Sequence, residues 1–148
     1  MYIGLKKRLE NVEIFKEEIF KTPDIYKNNL WFSDGLLFDD KIDNEIQKRL
    51  TELGKNFNWY CIKGFINPLE AEVKTAEDFP DLYEASLQMS KWFIKFIKNI
   101  VKENEVLLIN LWIGSKPSRK IEVKTLDLNE IDIKDYHLPL DVLFKLKV

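Results

Sequence analysis

The segment from Pro80 to Glu103 constrains this chain more than any other. At about 100° per residue, Met89, Trp92, Phe93, Ile94, Phe96, Ile97, Ile100 and Val101 spread over roughly 200° of a helical wheel. Lys91, Lys95, Lys98 and Lys102 share the narrow remaining stripe. A helix apolar over so wide an arc cannot stand on a surface with one contact. It must pack against a sheet and a further element. Pro80 suits its first turn, where a missing N–H costs nothing. The next stretch, EVLLINLWIG at 105–114, is apolar on both alternating faces, as expected for a central strand covered on each side.

The flanking segments supply the rest of a single α+β domain. Leu5, Leu9, Val12, Phe15 and Ile19 recur at helical spacing and predict a helix over about 4–21, stopped by Thr22-Pro23-Asp24. LWFSDGLLFDD at 30–40 reads as a hairpin turning at Asp34-Gly35, or as one bent strand. Ile42, Ile46, Leu50 and Leu53 line a second helix over about 41–53, with Asp39 or Asp40 as N-cap and Gly54 after its end. FNWYCIKGFI at 57–66 is aromatic and β-branched, which predicts a strand. LEAEV at 69–73 reads as a short edge strand. KIEVKTLDL at 120–128 and DVLFKLKV at 141–148 alternate apolar and polar residues and predict two more strands. The loop GSKPSRK, 114–120, then joins 105–113 to 120–128 as a hairpin. Helices fall mostly early and strands mostly late, so the reading is a mainly antiparallel sheet with about three helices packed on it.

Composition narrows the function by exclusion. The chain has 148 residues, 45% of them hydrophobic, which fits one domain with one core. There is one histidine, His137, and one cysteine, Cys61, so a four-ligand Cys/His zinc site and an internal disulfide are both ruled out by count. No apolar leader or membrane-length run is visible, and with the single cysteine this leads to the expectation of a cytoplasmic protein.

Each chemical motif meets an obstacle. GSKPSRK has one glycine and precedes a strand, whereas phosphate cradles use several glycines before a helix. DDKID, Asp39–Asp43, resembles the aspartate-rich motif of terpenoid synthases, but acids at a helix start explain it. Glu122 and Lys124 resemble half of the PD-(D/E)xK nuclease motif, but the preceding strand lacks the partner aspartate. Cys61 and His137 are a formal nucleophile–base pair, but Cys61 sits in an aromatic strand where a buried thiol is ordinary. The reading is therefore non-catalytic, with no cofactor and no metal.

Charge is unevenly placed. Residues 70–84 hold six acids against one lysine, and residues 127–141 hold five against one. Between them, residues 91–124 hold eight bases and three acids. Acids mixed with apolar and aromatic anchors suit a surface complementary to a basic protein. The candidate partner-binding residues are Glu70, Glu72, Glu77, Asp78, Asp81 and Glu84 in the first stretch. In the second they are Asp127, Glu130, Asp132, Asp135 and Tyr136.

In these two acidic-aromatic stretches and its compact α+β character, the chain resembles the small immunity proteins of bacterial toxin systems, such as those of contact-dependent inhibition. The resemblance implies a cytoplasmic partner-binding inhibitor whose partner is a cognate toxin, frequently a basic nuclease. Two other classes are weighed against it. One is a nucleic-acid-associated protein using Lys91, Lys95, Lys98, Lys102 and Arg119. The other is a metal-dependent nuclease using Glu122 and Lys124.

Overall fold

The computed structural model describes residues 1–9, 37–63, 69, 77–78, 80–111, 120–134 and 137–148. Six strands and two helices appear among them. In chain order they are β1 (Tyr2–Leu5), β2 (Leu37–Asp39), α1 (Asn44–Leu53), β3 (Asn58–Lys63), α2 (Pro80–Val101), β4 (Val106–Ile109), β5 (Glu122–Asp127) and β6 (Val142–Lys147). The strands form one sheet in the order β2-β3-β1-β4-β6-β5. Every neighbouring pair is antiparallel except β5–β6, which is parallel. The α+β reading with a mainly antiparallel sheet holds. The described helices number two, and most of the first expected helix, 10–21, lies outside the described residues, as does 30–36.

The two helices cover opposite faces. On one face, Phe93, Ile94 and Ile97 of α2 are buried in one cluster with Ile3, Leu5, Phe38, Tyr60, Ile62, Val106, Leu108 and Phe144. The wide apolar arc of α2 is used as expected: Trp92 and Phe96 stack with ring centroids 5.3 Å apart, and Phe38 meets Phe96 at 5.8 Å. On the other face, Leu50 of α1 packs with Tyr2, Trp59, Leu107, Ile109 and Leu143. Successive strand residues point to opposite faces, so the near-continuous apolar run of β4 feeds both clusters at once.

Four expectations are corrected. The first helix was expected to begin near residue 4, but Tyr2–Leu5 is a strand between β3 and β4. Leu5 fits a helical stripe in the sequence; in the fold, Tyr2, Ile3 and Leu5 are buried because both sheet faces are covered. Periodicity over four residues cannot separate these cases. Gly4 faces Trp59, and a Cβ there would stand 3.1 Å from the indole ring.

The cap of α1 is Asp43, rather than Asp39 or Asp40. Its carboxylate accepts the N–H groups of Glu45 and Ile46 at 2.9 and 3.4 Å. Asp39 ends β2 in register with Cys61 and accepts the N–H of Lys41 instead. Gly54 closes the helix in extended backbone. Its role is close approach: a Cβ there would lie 3.0 Å from both Leu107 Cδ1 and Phe57 Cδ2.

The hairpin expected at 114–120 does not join neighbours. β6 lies between β4 and β5, so the segment spans a strand position. Residues 112–119 themselves lie outside the described residues. The parallel β5–β6 pair needs a crossover, and residues 128–141 supply it. The crossover passes on the α2 side: Leu128 and Leu138 are buried in that cluster, with Ile131 and Ile133 packed against it. Leu69, expected to open an edge strand, instead holds a positive φ of 66° in a turn, and 70–73 lie outside the described residues.

Candidate partner-binding surface

The two acidic stretches meet at one point. The N–H of Leu138 donates to the carbonyl of Leu69 at 3.0 Å, and the N–H of Leu69 donates to Ser90 Oγ at 2.9 Å. All three residues are buried. Leu69 heads the first stretch and Leu138 lies near the end of the second, so both are pinned to the middle of α2. A left-handed backbone costs a leucine of order 1–3 kcal/mol. Burial of its side chain and two satisfied backbone groups offset that cost.

The described acids of the two stretches lie toward opposite ends of α2. Glu77 and Asp78 are exposed just ahead of its N-terminus, and Glu84 is exposed in its second turn, accepting from Gln88 Nε2 at 2.7 Å. Asp81 lies in the first turn of the helix. Acids there also complement the positive end of the helix macrodipole. In the other direction Asp127 interacts electrostatically with Lys98, two turns beyond Ser90. Glu70, Glu72, Asp135 and Tyr136 lie outside the described residues.

The individual acids differ in how committed they are. Asp127 is engaged at the end of β5. Its carboxylate accepts the N–H of Asn129 at 2.9 Å and pairs with Lys147 Nζ at 3.1 Å. The Asn129 hydrogen bond first, and Lys147 second, hold its carboxyl below the usual 3.8. Lys147 is raised in turn, chiefly by its hydrogen bond from Nζ to Asp127. Asp132 accepts the N–H of Lys134 at 3.1 Å, a local turn closure, yet remains exposed. Glu130 is exposed. The described acids open to a partner are thus Glu77, Asp78, Glu84, Glu130 and Asp132.

Residues of the competing readings fall elsewhere. Lys91 and Lys95 are exposed on α2, Lys98 is half-buried, and Lys102 is exposed just past its end. The aromatics beside them, Trp92 and Phe96, stack on each other against the core rather than standing out as base platforms. Glu122 and Lys124 pair with each other at 3.1 Å on β5. Cys61 packs beneath α1 in register with Tyr2, and His137 is exposed beside the buried Leu138. Among the described residues no cluster of three or more His, Cys, Asp or Glu has metal-binding proximity, and no helix is long and apolar enough to cross a membrane.

One polar group was not legible in the sequence. Asp39, Cys61 and Tyr2 stand in one row across β2, β3 and β1 by register. Burial pushes the Tyr2 phenol up; Cys61 and Asp43 add to the rise, and Arg49 of α1 opposes it. Arg49 Nη2 is buried without a hydrogen-bond partner. No spacing links these residues along the chain, because only the placement of β1 beside β3 brings Tyr2 to Cys61. Further along the same face, past α1, a groove of about 580 Å³ opens between Leu53, Phe57, Leu107, Val123 and Lys145.

Comparison with protein-family models, curated proteins and solved structures returns no match.

Proposed function

We propose that this protein is a non-catalytic inhibitor that binds a basic protein, in the manner of an immunity protein neutralising a cognate bacterial toxin. The observation that carries the reading is the Leu138–Leu69 hydrogen bond, which ties two acidic stretches distant in sequence to one helix. Exposed acids on a rigid support suit an electrostatically steered partner, because fixed charges lose little freedom on binding. Ile131 and Ile133, partly buried beside Glu130 and Asp132, supply apolar contact among the acids. A nuclease toxin fits this chemistry, since its nucleic-acid site is basic and an acidic cover competes for it.

The test is to express the product of the neighbouring reading frame and, where it carries a toxic activity, to run a stoichiometric inhibition assay against it. The expected result is a tight complex and loss of toxin activity at equimolar ratio, with an association rate that falls as salt rises. A toxin domain that neither binds nor loses activity would sink the reading. The same samples address the other two classes. Salt-titrated nucleic-acid binding by the protein alone would favour the lysine stripe, and magnesium-dependent cleavage lost in Glu122→Ala would favour the nuclease.

A further inference from the structure

We infer that β5 is a self-pairing edge, through which two copies of this chain join antiparallel about a two-fold axis centred on Val123. β5 ends the sheet, and among the described residues no strand lies on its outer side. An unpaired edge presents a row of backbone donors and acceptors to any strand of matching pattern. Proteins usually blunt such edges with charge. The charges here alternate in sign in a way that a two-fold axis turns into attraction.

Strands related by a two-fold perpendicular to the sheet keep their faces, so a pairing centred on Val123 sets Val123 opposite its own copy. It also sets Glu122 opposite the second copy's Lys124, and Lys124 opposite the second copy's Glu122. On the other face Ile121 meets Thr125. Glu122 and Lys124 lie on the same face, since their β6 partners Val142 and Phe144 both belong to the α2-side cluster. Their side chains are 62% and 49% exposed. Within one chain they already pair at 3.1 Å; across the axis they form a quartet of alternating sign. A pairing centred one residue either way sets Glu122 against Glu122 or Lys124 against Lys124, so charge favours the register centred on Val123. Val123 is 55% exposed, the most exposed large apolar side chain among the described residues, and its own copy covers it. The closed, isologous symmetry stops assembly at two.

The experiment is a charge-swap series read by sedimentation equilibrium across a concentration range. Wild type is expected to pass from monomer to dimer as concentration rises. Glu122→Lys and Lys124→Glu each set like charges opposite twice and weaken the dimer on the order of tenfold. The combined Glu122→Lys, Lys124→Glu variant restores opposite signs and returns the affinity to near wild type. Circular dichroism confirms that these exposed changes leave the fold intact. A mass that stays monomeric at every concentration overturns the inference. So does a dimer indifferent to the single changes, or a combined variant as weak as the singles.

Discussion

Leu138 donates its backbone N–H to the carbonyl oxygen of Leu69 at 3.0 Å, and Leu69 in turn donates to the hydroxyl of Ser90. The chain carries these residues far apart, yet one helix holds all three. Ser90 is fully buried, so water cannot replace its hydroxyl. Ser90→Ala leaves the Leu69 N–H unsatisfied and is expected to cost about 1–3 kcal/mol. Urea unfolding measures this. Hydrogen exchange at the Leu138 amide should accelerate in the same variant, and an unchanged midpoint with unchanged exchange would show that the pin is slack.

Asp127 and Lys147 close the end of the parallel pair. The Asp127 carboxyl lies below its ordinary pKa, so its contribution is present at neutral pH and fades as pH falls through the carboxylate range. Lys147 is raised, so its contribution is present below about 10.5 and is lost as pH climbs past it. Asp127→Asn is expected to melt below wild type at neutral pH and to converge with it in acid. Thermal unfolding at a series of pH values reads this directly; parallel curves throughout would contradict it.

Two glycines are required by what packs against them. Gly4→Ala sets a Cβ 3.1 Å from the Trp59 ring, and Gly54→Ala sets one 3.0 Å from Leu107 and Phe57. Each is expected to destabilise by about 1–3 kcal/mol, as overpacking does in a dense core. Gly4 is predicted to be the more sensitive, because the indole is itself buried and has little room to retreat, whereas Phe57 is half-buried. Equal and negligible shifts in denaturation midpoint would refute the packing argument.

Arg49 carries a buried nitrogen with no hydrogen-bond partner. Arg49→Met keeps the aliphatic stem and removes that unsatisfied group, so stability is expected to stay level or rise. The guanidinium also lowers the Tyr2 phenol against burial. Its loss should therefore push the Tyr2 titration further up, visible as delayed tyrosinate absorbance on alkaline titration. A clear loss of stability would mean that the charge has a compensating role.

Binding offers a sharper contrast. If the acids along α2 steer a basic partner, lysine at Glu77, Asp78 and Glu84 should slow association markedly at low salt, with less effect at high salt. Asp127→Asn should change stability more than binding, because Lys147 already occupies its carboxylate. Stopped-flow association at two ionic strengths separates the two outcomes.

The sequence alone determined the elements whose pattern is long or doubly apolar. The arc of α2, the run of β4 and the alternation of β6 were readable because burial on one or two faces writes a period directly into side-chain type, whereas β5 alternates although residues 122–125 are all exposed. It also located the acids, the lysine stripe and the single histidine and single cysteine. Tertiary structure decided what short segments do and which strands adjoin. Tyr2–Leu5 carries too few residues to show a period, and its place between β3 and β4 comes from pairing energy that no local window contains. The insertion of β6 between β4 and β5 is equally invisible in sequence, because strand order depends on long-range hydrogen bonding and on how the 128–141 crossover packs under α2. That same crossover brings Leu138, near the end of the second acidic stretch, to Leu69, just ahead of the first. Charge composition is local, but adjacency is a property of the folded sheet.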